Sequence, residues 1–266
     1  MTHTTDSAPG ERASRDRAIG AKRRLRVTRA RRVILGQLAP AEREDLSARA
    51  YAIYAAYKRD VDRATFQRAF LSDDATRVAL FHGEDGAFAG FATAAIDRVD
   101  SAAQRLAVYS ALLFIDTHYS GVGPASLFAI KEALRFKLRE PRTPLAYMGV
   151  VTSPASYRMF AATMPTFYPA RGAAVPPGAA RAMRDAARAR GLTFVDEERL
   201  LVRGLGAPRY PERLRGAATL RDDPDARFYL DRNPAFDEGV GMLIWVPLTL
   251  GNLLGALARR VQHAAR

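Results

Sequence analysis

Leu106-Ala-Val-Tyr-Ser-Ala-Leu-Leu-Phe-Ile115 is followed by Asp116-Thr-His118-Tyr-Ser-Gly121-Val-Gly123-Pro-Ala125, and then by a helical pattern to about Arg139. The first run is too continuously apolar for a strand with one wet face, so it predicts a buried central strand. In the third run Leu127, Ile130, Leu134 and Leu138 share one face, and Lys131, Glu132 and Arg135 fall elsewhere, which predicts an amphipathic helix. Two glycines therefore stand between a strand and a helix. Such a loop bares backbone N–H groups where the helix dipole is positive, a geometry that suits a pyrophosphate. No Gly-Lys-Ser/Thr follows, and a third glycine is missing, so neither the nucleotide-triphosphate loop nor the dinucleotide fingerprint is present.

Working outward, Leu145–Val151 (LAYMGVV) predicts another buried strand. Ser153-Pro154 can open a helix, with Ser as N-cap and Pro in the first turn. That helix carries Tyr157, Phe160 and Met164. Upstream, Val78–His82 and Phe88–Ile96 flank a Gly83-Glu-Asp-Gly86 turn and predict a hairpin. Before it, residues 41–58 place Leu46, Ala50, Ile53 and Tyr57 at helical spacing, and Phe66, Phe70 and Leu71 suggest a second short helix. The order is α/β with a central crossover. Downstream, 172–188 predicts a Pro/Gly break and a helix, 193–203 a strand, and 207–237 polar loops. Residues 239–258 hold twenty residues without a charge. That length could span a bilayer, but Pro247, Thr249, Asn252 and four glycines favour a strand at Met242–Val246 and then a helix from about Thr249.

Composition narrows the chemistry. The 266 residues are 48% hydrophobic and 26% charged, ordinary globular values that exclude wholesale disorder, collagen and a polytopic membrane protein. There is no cysteine, which removes disulfides, thiolate nucleophiles and Cys-ligated metals. The four histidines (His3, His82, His118, His263) are far apart, so no metal site is expected. The net charge is +13, and residues 1–35, with ten Lys/Arg against three Asp/Glu, hold +7 of it. Residues 1–35 are expected to form a disordered basic arm, and 22–32 (KRRLRVTRARR) could meet an anionic membrane or nucleic acid. The +2 balance of 36–171 argues against a specific nucleic-acid surface.

The spacing His118-Tyr-Ser-Gly121-Val-Gly123 resembles the Q/R-x-x-G-x-G/A signature of the GNAT acyltransferase superfamily. The surrounding order of elements over 41–168 resembles it too: helices, a hairpin, a long strand feeding the loop and its helix, then a further strand and helix. Tyr157-Arg-Met-Phe160 with Phe167-Tyr-Pro169 resembles the family's closing region. Departures are plain. His118 stands for Arg or Gln, Pro124 removes one N–H donor, Ser153 stands for Asn, and Phe160 stands where a leaving-group tyrosine is frequent. The resemblance implies a GNAT-like mixed sheet with flanking helices from 36 to 170, and a strand/helix extension, 171–266, packed on it.

The resemblance further implies transfer of an acyl group from a thioester to an amine, with no tightly bound cofactor. The donor, acyl-CoA or acyl-ACP (acyl carrier protein), would lie against Leu113, Phe114 and Ile115, with its pyrophosphate on Ser120, Gly121, Val122 and Gly123. Asp116 and His118 are candidate bases and Tyr157 a candidate acid. Each also has a structural role open to it: Asp116 as a turn cap, His118 as a solvated loop residue, Tyr157 as core. An idle module that binds an acyl-thioester or a lipid is the alternative. No His-x4-Asp pair and no Gly-x-Ser-x-Gly elbow occurs. Leu250, Leu253, Leu254, Leu257 and Val261 form a leucine-rich face beside Arg259 and Arg260. With 22–32, this predicts a cytoplasmic protein making peripheral contact through 22–32 and 249–261 with an anionic inner-membrane surface.

Overall fold

The computed structural model describes residues 24–101, 104–120, 123–209 and 222–264. In chain order the described residues form β1 (Leu25–Ile34), α1 (Pro40–Tyr57), β2 (Lys58–Arg59), α2 (Arg63–Phe70), β3 (Arg77–Gly83), β4 (Phe88–Ser101), β5 (Gln104–Ile115), β6 (Tyr119–Ser120) and α3 (Gly123–Arg139). They continue with β7 (Leu145–Val151), α4 (Pro154–Thr163), α5 (Pro177–Ala189), β8 (Phe194–Asp196), β9 (Leu201–Arg203), β10 (Ala207–Pro208), α6 (Pro224–Arg232), β11 (Val240–Pro247) and α7 (Leu250–Ala264).

Nine strands make one sheet in the order β6-β1-β3-β4-β5-β7-β11-β9-β8. It is mostly antiparallel; the parallel neighbours are β1 with β6 and β5 with β7. Helices cover both faces. On one face Phe128 and Ala133 of α3, Tyr157 of α4 and Tyr229 of α6 share a core with Phe81, Tyr109 and Ile244. The other face packs α1 and α2 on β1, β3 and β4, and α5 on β7 and β11. This is a mixed α/β sheet with helices on both faces, as expected for 36–170.

The punctuation explains most element ends. Ser153 caps α4: its Oγ accepts the Ser156 N–H at 3.2 Å, and Pro154 follows at the position where a missing donor costs nothing. Asp62 caps α2 in the same way through Thr65 at 2.7 Å. Strand β11 is buried from Val240 to Val246, as its unbroken apolar run requires.

Three expectations are corrected. Leu25–Ile34, expected in a disordered arm, form strand β1, antiparallel to β3. Val27 and Val33 are buried while Arg26, Arg29 and Arg31 are exposed, so the strand signal was thinned by charge; β6 covers β1 only at Leu25 and Arg26, and charge along the rest of that side blocks stray pairing. Residues 193–203 are two short strands, β8 and β9, not one. In α7 the leucines do not all share one environment. Leu253 packs on the core and Gly255 lies against Pro165, whereas Leu250, Leu254 and Leu257 are exposed. Beyond 170, strands β8, β9 and β11 join the same sheet. Among the described residues, no helix is long and apolar enough to cross a membrane.

Candidate functional site

Strand β5 is held differently on its two sides. It pairs with β4 along its whole length, to Gly90↔Ile115, but with β7 only from Ala107↔Leu145 to Tyr109↔Tyr147. Past that point β7 follows β11, pairing to Met242↔Val151, and the two parallel strands part. The parting is supported at its base by Tyr109 and Tyr147, with ring centres 6.0 Å apart, and by Phe160 stacked on Tyr147 at 5.6 Å. Burial pushes the Tyr147 phenol up to about 12. At the far end Gly90 lets β4 stay close: a Cβ there would lie 2.4 Å from the Phe114 carbonyl oxygen. A cleft therefore opens beside the β7-facing edge of Leu112–Ile115, and Leu113 is 40% exposed.

The loop after β5 is built by local hydrogen bonds. The Asp116 N–H donates to Ala89 O at 2.8 Å, and Tyr119 N–H donates to Asp116 O at 2.9 Å. The Asp116 carboxylate accepts the His118 backbone N–H at 2.9 Å and lies 2.7 Å from His118 Nδ1. A carboxylate can only accept, so Nδ1 carries a proton, and in the neutral ring the lone pair lies on Nε2. His118 is 78% exposed, so this free nitrogen is open to a substrate. Tyr119 donates to Asp85 Oδ2 at 2.8 Å, which pins the loop to the β3–β4 turn. Ser120 ends β6, whose pairing with β1 holds the loop from the other side. Gly123 opens α3. Gly121 and Val122 lie outside the described residues.

The structure brings Asp116 and His118 together, beside Leu113–Ile115 and on the approach to α3. It does not bring Tyr157 there. Tyr157 is fully buried, its hydroxyl donates to Pro169 O at 3.1 Å, and its ring packs against Phe167, Phe228 and Tyr229. Burial raises its pKa first, and the Asp225 carboxylate adds to the rise. A phenol so placed serves packing, which corrects its reading as an acid.

Two other residues occupy the cleft end, and sequence reasoning passed over both. The last residue of α1, Tyr57, donates to Ile115 O at 2.5 Å, at the tip of β5. The next residue, Lys58, donates from Nζ to Thr152 Oγ1 at 3.0 Å, just past the tip of β7. Adjacent residues thus bridge the two diverging strands. Burial raises the Tyr57 pKa and the Asp116 carboxylate adds to it, against Arg24. Burial pulls the Lys58 ammonium down to about 8. The end of α1 is fixed from outside by β10, which pairs with β2, and by the Arg209 N–H donating to Tyr57 O at 2.9 Å. These contacts come from about 150 residues downstream, so no local pattern near Lys58 could have announced them. Among the described residues no group of His, Asp and Glu could hold a metal ion.

No family model matches the sequence, and no curated protein does. Solved structures show a partial likeness. Arabidopsis thaliana NAA60, solved in complex with a bisubstrate analogue, is 13% identical, covering 56% of this chain and 92% of its own, at a TM-score of 0.34. The GNAT family N-acetyltransferase YhbS of Escherichia coli, solved with CoA, is 19% identical, covering 59% and 71%, at 0.30. A GNAT-family acetyltransferase of Streptococcus pneumoniae is 15% identical, covering 56% and 92%, at 0.32. The mixed α/β fold described above rests on this chain's own strand order.

Proposed function

We propose that this chain is an N-acyltransferase that moves an acyl group from a thioester of CoA to an amine. The observation that carries this reading is the open edge of β5, ending beside a glycine loop that leads into a helix. An extended amide-bearing arm could add to that edge by backbone hydrogen bonds, as strands do. Its pyrophosphate would meet the N–H groups from Ser120 to Gly123 and the positive end of α3.

In the proposed reaction the amine nitrogen attacks the thioester carbonyl carbon. The N–C bond forms and the C–S bond breaks. The amine proton passes to Nε2 of His118, whose Nδ1–H is held by Asp116, and the carboxylate stabilises the imidazolium that results. The leaving thiolate takes a proton from Tyr57, which takes the acid role first expected of Tyr157, and the proton held on His118 returns through solvent to the Tyr57 phenolate, restoring both groups. The exposed Leu250, Leu254 and Leu257, with the outward arginines of β1, suit a peripheral contact with an anionic membrane and hence a long-chain donor or a lipid-like amine.

The test is thiol release from acetyl-CoA and from long-chain acyl-CoAs over a panel of amines. Amine-dependent release is expected, falling by roughly 100-fold or more in His118→Ala, the usual scale for a lost acid–base group. Donor binding without release from any amine would instead establish the non-catalytic binding module.

A further inference from the structure

Away from the cleft, on the α3 face of the sheet, lies a cavity of about 210 Å³. Five arginines line it: Arg32 of β1, Arg77 of β3, Arg98 of β4, and Arg135 and Arg139 of α3. Two carboxylates, Glu132 and Glu140, oppose them, so the lining carries an excess of three positive charges. The charges are not spread evenly. Glu132 is 2% exposed and takes three guanidinium groups at once: Arg32 at 2.7 Å, Arg77 at 3.3 Å, and Arg135. One carboxylate cannot neutralise three cations, so two charges remain uncompensated there. Arg98 and Glu140 form a forked pair that balances itself. Arg139 has no carboxylate partner among the described residues.

The guanidinium groups of Arg32, Arg77, Arg98 and Arg135 are partly open to solvent, so the excess charge is accessible to a dissolved anion. Ile96 and Phe136 complete the wall, so part of the cavity is apolar.

We propose that this cavity is a second binding site, for a small multivalent oxyanion of the phosphate-ester or polycarboxylate class. Guanidinium forks match both kinds of oxyanion, and Arg139 with the two uncompensated cations at Glu132 supplies the charge. Glu132 holds Arg32, Arg77 and Arg135 in place, and the Ile96 and Phe136 wall takes a short apolar portion of the ligand. The site stands apart from the acyl-transfer reading, which uses the other end of α3.

Calorimetric titration of the full chain with inorganic phosphate and with citrate tests it, at an ionic strength held constant with chloride. Saturable binding of at least one anion is expected, and the tighter one identifies the class. Arg139→Gln should weaken it by about 10- to 100-fold, the scale of a lost hydrogen bond to a charged group, and leave the anion-free melting temperature unchanged. Gly121→Leu should bind as the parent does. Equal binding by the parent and Arg139→Gln would overturn the proposal. Loss of binding in Gly121→Leu, or an effect that follows ionic strength alone, would do so as well.

Discussion

On its β4 side β5 pairs residue for residue from Ser101↔Gln104 to Gly90↔Ile115; on its β7 side it pairs over three residues and then stands open. Strand β11, two places along the sheet, is paired on both sides and buried through seven consecutive residues. The same sheet thus contains a sealed flank and a parted one. The sealed flank is closed by β7 along six residues, by three residues of β9 and by Leu200 and Tyr168 beyond them, and it carries much of the packing. The parted flank leaves backbone donors and acceptors available, which is costly in a core and useful only where something binds.

The largest effect expected from this contrast belongs to the sealed flank. Trp245 is 5% exposed and exchanges two backbone hydrogen bonds with Tyr168. Trp245→Ala should cost about 3–5 kcal/mol in urea unfolding, the range for deleting a buried aromatic side chain. CoA affinity of the folded fraction should be nearly unchanged; a large loss would mean that the two flanks are not separable. Next, Gly121→Leu should leave the unfolding transition in place and weaken CoA binding on the order of 100-fold. That is the loss of about two hydrogen bonds to a charged group.

Lys58 gives a smaller effect with a definite pH signature. Its folded pKa, about 8, lies below the ordinary lysine value of 10.5. Below pH 8 both states hold the proton, and the folded state bears the cost of a partly buried ammonium. Between pH 8 and 10.5 the unfolded state binds more protons, so stability rises with pH. Lys58→Met should therefore stabilise by about 2 kcal/mol at pH 7, and the gap should close by pH 10.5. Destabilisation at both pH values would mean that the bond to Thr152 outweighs burial. The smallest effect is expected at Tyr157. Tyr157→Phe removes one buried hydrogen bond, so it should cost about 1 kcal/mol and leave thiol release unaltered. A fall in release without a fall in stability would restore Tyr157 to the chemistry.

Much of the fold was legible because apolar runs and turn residues agree along the middle of the chain. Val78–His82, Leu106–Ile115, Leu145–Val151 and Met242–Val246 all lie in strands, and Ser153-Pro154 does open a helix. Strand β1 was not legible, since a strand with two buried valines and many arginines looks like a basic tail. The candidate site was legible where it is local. Asp116 and His118 stand two residues apart in one loop, and their contact follows from that spacing. Lys58 and Tyr57 were hidden because their placement depends on β10 and Arg209, far away in the chain. Tyr157 misled because helical spacing cannot tell a buried tyrosine from one at a cleft wall.

The most direct test of the central claim, that the open edge of β5 and the loop after it receive a CoA thioester, is thermal unfolding with CoA and acyl-CoAs of rising chain length. A ligand at about one hundred times its Kd should add roughly 2.7 kcal/mol of stability. The account predicts such a shift with CoA itself, larger with longer acyl chains, and lost in Gly121→Leu. An unfolding curve unmoved by any of them, or moved equally in Gly121→Leu, would contradict it.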